Sequence, residues 1–185
     1  MKIRRIIQVV SYYVIPVVLL LLTLLIRDGD LFESFGSISL YLLIAVMFIK
    51  PVVKILNIKL FMKLLLYRRE VGLLTFWFFL FHAYGLIVSQ NIGLSSLLNT
   101  GSFLFYGCVG GAMLVILAVT SNKISQKLLK KNWKRVQYLS YAALFFVLLH
   151  VSLVEGELWM FFLVGGLFIV LKIIEFKKIR LVGDR

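Results

Sequence analysis

Long uncharged apolar runs constrain this chain more than anything else in it. From Ile6 to Ile26 no side chain carries a charge, and a run of about 20 such residues is what a helix needs to cross ~30 Å of hydrocarbon. In lipid a span must satisfy its backbone hydrogen bonds internally, which a helix does alone. Five further runs are expected to be helical, at about 37–50, 71–89, 103–120, 134–154 and 158–176. The expected fold is therefore an all-α membrane protein, a six-helix transmembrane bundle forming one domain over residues 1–185. Composition agrees: 62% of residues are hydrophobic, against about 45 to 50% in soluble domains. MKIRR before the first run resembles the start of a signal peptide, but the run is longer than a cleavable core and no small-residue cleavage site follows, so it reads as a retained first helix with Pro16 as a point of kinking.

The formal charge of +13 would suggest a nucleic-acid partner in a soluble chain. Here it sorts by loop. Lys2, Arg4 and Arg5, the basic residues from Lys50 to Arg69 and from Lys123 to Arg135, and the tail residues Lys172, Lys177, Lys178, Arg180 and Arg185 all fall on one side of the expected bundle. Arg27 alone falls on the other, with Asp28, Asp30, Glu33, Glu155 and Glu157. Lysine and arginine mark the cytoplasmic side, so both termini are expected there, in a bacterial cytoplasmic membrane, with lipid and not nucleic acid as the surrounding partner. RDGDLFESFG reads as a short polar loop. VVKILNIKLFMKLLLYRRE, residues 52–70, reads as a basic helix lying along the interface.

The two histidines of the chain, His82 and His150, both fall inside apolar runs, where an ionisable residue marks function by default. His82 stands thirteen positions beyond Arg69 and His150 fifteen beyond Arg135, about 20 and 22 Å at ~1.5 Å per residue. Two neutral imidazoles at matched depth on different helices can take both axial positions of a haem iron. Such an iron has no open position for substrate, so its chemistry is one-electron transfer. Phe78, Phe79 and Phe146 lie about a turn from the histidines and are candidates to line a porphyrin; Gly85 and Ala143 are small enough to give it room. Arg27, as the one outer cation, is the candidate partner of the propionates, with Ser89, Gln90 and Asn91 as hydrogen-bonding alternatives. Met47, Met113 and Met160 are weaker ligands beside two histidines, Cys108 is a packing residue, and Gly107 and Gly111 have the spacing of close helix contact. No carboxylate, lysine or arginine lies mid-run, against an ion-coupled transporter. No G-x-G-x-x-G fingerprint is present, so flavin enters only through a partner protein.

Three segments carry a family resemblance. LAVTSNKISQKLLKKNWKRVQYLSYAALFFVLLHVS from Leu117, LLLYRREVGLLTFWFFLFH from Leu64 and IKP at Ile49 resemble the ferric-reductase-like transmembrane proteins, and among them most of all the haem-binding membrane subunits of bacterial methionine-sulfoxide reductase systems. The resemblance spans about Ile49 to Ser152. It implies b-type haem and transmembrane electron transfer, from a membrane quinol or a flavoprotein to a reductase or small-molecule acceptor at the outer face. It departs at the inner end: the family has a histidine after W-K-R-L, where this chain has Gln137, and Arg69 stands thirteen residues before His82. The carry-over reaches His82 and His150 only, which implies one haem and, with a long gap to the cytoplasmic surface, a quinol donor. The alternatives are a ferric or flavin-linked reductase component, or a haem-free scaffold or permease.

Overall fold

The computed structural model describes residues 2–26, 29–57 and 62–177, and among these the only regular structure is helical. The first span is α1 (Lys2–Val9) joined through a π-helical turn, Val10–Val14, to α2 (Ile15–Leu25). Pro16 explains the turn. Proline has no N–H to give and its ring crowds the carbonyl one turn back, and the wider π turn immediately before it relieves both. Ser11 and Thr23 return their hydroxyls to the carbonyls of Ile7 and Leu19, four residues earlier.

The second span, α3, is longer than expected: it runs Gly29–Leu56, through Pro51. The polar loop expected over RDGDLFESFG is helical from Gly29 onward. Asp30 lies in its first turn, where a carboxylate suits the positive end of the helix dipole, and Phe32 and Phe35 are buried. The expected interfacial helix at 52–70 is not one element either. Val52–Leu56 end α3, residues 58–61 are outside the described set, and Lys63–Tyr67 form a 3-10 turn leading into α4 (Arg68–Ser89).

A short helix, α5 (Leu94–Leu98), precedes α6 (Phe103–Val119), which bends by 94° into α7 (Lys123–Leu129). At ~1.5 Å per residue the seventeen residues of α6 reach about 26 Å. Among the described residues five helical spans, Arg5–Leu25 and Lys131–Glu155 each counted as one, are long and apolar enough to cross a membrane, and α6 with α7 makes six if the bent pair is one span. The fifth expected run is broken at Tyr138 into α8 (Lys131–Gln137) and α9 (Leu139–Glu155), which stops at Gly156 in the left-handed conformation that favours glycine. The last helix is α10 (Trp159–Phe176).

The centre consists of two closely packed pairs of consecutive spans, α3 with α4 and α6 with α9. In the first pair Ser39 Oγ donates to the carbonyl of Thr75 across the interface at 2.9 Å. In the second, Gly110 receives Val147. The pairs join where the Phe79 ring of α4 lies against Gly111 of α6, and where Leu40, Leu43 and Met47 of α3 meet Ala143, Leu144 and Leu148 of α9. The spans at either end of the chain flank this centre and are mostly exposed, α10 burying only Phe168.

Candidate functional site

His82 projects from α4 toward α3, and His150 from α9 toward α6. Each ring is held in the same way. His82 Nδ1 lies 2.7 Å from the carbonyl oxygen of Phe32, and His150 Nδ1 lies 2.8 Å from that of Phe103. Four residues after each of these phenylalanines stands a glycine, Gly36 or Gly107, and the imidazole rests on it. A Cβ at Gly36 would sit 2.6 Å from His82 Nδ1, and one at Gly107 would sit 2.9 Å from His150 Nδ1. Phe-x-x-x-Gly therefore appears twice, each time giving one histidine both an acceptor and a notch.

That contact fixes the protonation pattern. A carbonyl oxygen only accepts, so Nδ1 carries the proton and donates, and Nε2 keeps its lone pair. Metal-bound histidines are oriented by the same kind of bond. Among the described residues no three His, Cys, Asp or Glu side chains converge, so the donor set does not suit a zinc-type centre with four protein ligands. Two histidines, each with a free Nε2 lone pair, suit a metal whose other four donors come from a macrocycle.

The other expected site residues are distributed unevenly. Phe78 makes an edge contact with Phe35 at 5.8 Å, in the small cluster with Leu19, Phe32 and Phe81. Phe79 faces the other way, onto Gly111 and the main core. Phe146 packs edge-on to Phe145 at 5.3 Å, with its Cβ near Gly110. The space beside Gly85 is taken by the Phe32 ring, and Ala143 is fully buried in the core. Met47 is buried in that core and Met113 and Met160 pack on it, while Cys108 is free and exposed. Ser89 turns its hydroxyl back toward the carbonyl of Leu86. Arg27 lies outside the described residues.

The positions thirteen residues before each histidine are engaged in polar contacts of their own. Arg69 Nη2 lies 3.2 Å from Oε1 of Glu70, which also accepts from Gln8 Nε2 at 3.0 Å, and the guanidinium stands 5.8 Å over the Tyr12 ring. Gln137 Nε2 donates to Thr120 Oγ1, and Trp133 Nε1 to the Thr120 carbonyl. Sequence reading passed over Glu70, whose side chain is 1% exposed, because it follows two arginines in a basic stretch. It also took Gly107 only as a helix-packing residue and overlooked Gly36. The signal was present as the repeated spacing from phenylalanine to glycine, each opposite a histidine.

An all-helical, multi-pass architecture with one oriented imidazole per central helix pair defines a membrane protein with histidines set among its spans. Residues 35–154 match the family described as ferric reductase like transmembrane component, and the chain belongs to that family. Among individual proteins, it is similar to the protein-methionine-sulfoxide reductase heme-binding subunit MsrQ of Brucella ovis and of Brucella canis. Both are 32% identical over 113 residues, covering 59% of this chain and 50% of the relative. The MsrQ protein of Brucella melitensis is 35% identical over 85 residues, covering 44% of this chain and 39% of the relative. The chain thus spans about half the length of the curated relatives it matches. No solved structure matches it.

Proposed function

We propose that this protein is a haem-binding electron-transfer subunit of a membrane reductase system, with His82 and His150 as the two axial ligands of one b-type haem. The observation that carries the reading is the pair of Nδ1-to-carbonyl contacts, which leaves a lone pair on Nε2 of both rings. The naming of the relatives as heme-binding subunits supports it. Bound there, haem supplies a reversible one-electron couple.

The chain's own residues hold and insulate that couple. Phe32 and Phe103 set the tautomers through their carbonyls, and Gly36 and Gly107 set the ring positions. Phe78 and Phe146 are proposed to border the macrocycle, and Arg27 to pair with its propionates, whereas Phe79, Gly85 and Ala143 are taken up by contacts with Gly111, Phe32 and the core. The Arg69 guanidinium cannot ligate iron and the Gln137 amide is a poor ligand, and the two are engaged by Glu70 and Thr120 respectively. One haem per chain follows on this reading. The distance from the histidines to the basic end, about 20 Å, favours a quinol approaching within the bilayer as donor. The basic loops support cytoplasmic termini in a bacterial inner membrane and an acceptor at the outer face, such as a partner reductase.

The test is haem content. Purified from cells supplied with a haem precursor, the wild type should show a Soret band and about one haem per chain by the pyridine haemochrome assay. His82→Ala and His150→Ala should each insert into the membrane and lose most of that haem. Wild-type spectra from both variants would overturn the ligand assignment, and a colourless wild type would overturn the function.

A further inference from the structure

α10 fully buries Phe168 alone, with Met160, Phe161 and Val164 packed partly against the core. At its far end the helix carries Glu175, whose side chain is only 9% exposed. Three lysines converge on that carboxylate: Lys172 at 2.7 Å, Lys54 of α3 at 3.0 Å and Lys50 of α3 at 3.8 Å. Among the described residues, three cations against one anion leave an excess of two positive charges, and the side chains of Lys50 and Lys54 are 40% and 55% exposed. Glu175 is therefore enough to gather the lysines and too little to neutralise them.

Beside this cluster runs an open groove of about 390 Å³, walled by Tyr141 of α9 and by Phe168, Ile169, Ile173 and Phe176 of α10, with Lys172 at its polar edge. Lys172 Nζ lies 5.4 Å over the Tyr141 ring. Along α10 the wall from Ile169 to Phe176 extends about 10 Å. It is apolar throughout and opens to the side of the bundle, and it begins where the uncompensated charge sits.

We propose that the Lys50, Lys54 and Lys172 cluster and this groove together bind one anionic phospholipid, its phosphate at the lysines and an acyl chain against Ile169, Ile173 and Phe176. Basic pockets between transmembrane helices recognise anionic head groups in this way. The charge excess selects an anion over a neutral quinone or a zwitterionic lipid, and the apolar wall selects a lipid over free phosphate. A lipid seated there touches α3, α9 and α10 at once, and fastens the far end of the last helix to the bundle. The site is independent of the haem reading.

Native mass spectrometry of the full chain in detergent tests this with phosphatidylglycerol, phosphatidylcholine and inorganic phosphate as probes. The wild type should retain one phosphatidylglycerol in preference to phosphatidylcholine. Lys54→Glu, a charge reversal at a half-exposed position, should weaken that retention by about tenfold or more. Ile173→Asn should weaken it while leaving the lysines in place, and phosphatidylglycerol should raise the melting temperature of the wild type more than that of Lys54→Glu. Equal retention of both lipids, full selectivity in Lys54→Glu, or displacement of the lipid by inorganic phosphate would each overturn the proposal.

Discussion

At Gly36 and Gly107 one methyl group separates a seated imidazole from a displaced one. A Cβ at either position falls inside contact distance of the ring it supports, and the neighbour is a stiff aromatic ring hydrogen-bonded to backbone. Gly36→Val should therefore reduce haem content several-fold while His82 itself is intact, and Gly107→Val should do the same through His150. A control at Gly165, which has open space around it, should change nothing in the same haemochrome assay. Glu70 makes a different prediction. Its carboxylate is buried with Arg69 and Gln8 around it, and removing one partner of a buried pair leaves the other uncompensated. Glu70→Leu should cost about 3 kcal/mol, seen as a lower melting temperature in detergent with the haem spectrum of the surviving protein unchanged. Arg27→Gln, by contrast, should leave stability alone and lower the haem midpoint potential, because a nearby cation favours the reduced state; an unshifted redox titration would remove Arg27 from the site.

Among the elements, those whose boundaries depend on hydrophobicity alone were legible and those that depend on packing were not. The runs holding His82 and His150 were legible as spans from their hydrophobicity, while the matched depth of the two rings is an expectation from counting along each run. The start of α3 was illegible because Asp30, Glu33 and Gly36 read as a loop. Phe32 and Phe35 make it helical instead, by filling the space against Gly85 and Phe78 of α4. The π turn before Pro16 and the break at Tyr138 were similarly hidden, since a proline signals a disturbance without saying how the chain absorbs it. The site was half legible: the ligand candidates were named by residue type, but their carbonyl partners are backbone groups that no residue type announces. The α3–α4 interface offers its own test. Ser39→Ala removes the hydroxyl that donates to the Thr75 carbonyl and should cost about 1 kcal/mol, measured by chemical denaturation, with insertion unaffected.

For the whole molecule, charge asymmetry and the occupied inner positions make linked predictions. Reporter fusions at both ends should give the cytoplasmic signature, and one at the loop near Gly93 the opposite. Gln137→His should leave haem stoichiometry at about one per chain, because the position thirteen residues before His82 on α4 is Arg69, tied to Glu70. The two halves of the bundle also have a bearing on biogenesis. Each histidine is oriented by the span immediately before it in the chain, Phe32 serving His82 and Phe103 serving His150. Neither ring waits for a distant segment to arrive. As spans leave the ribosome in order, the first hairpin can close and set its histidine while the second is still being made, so that each imidazole is oriented within its own hairpin and only the joining of the two hairpins remains.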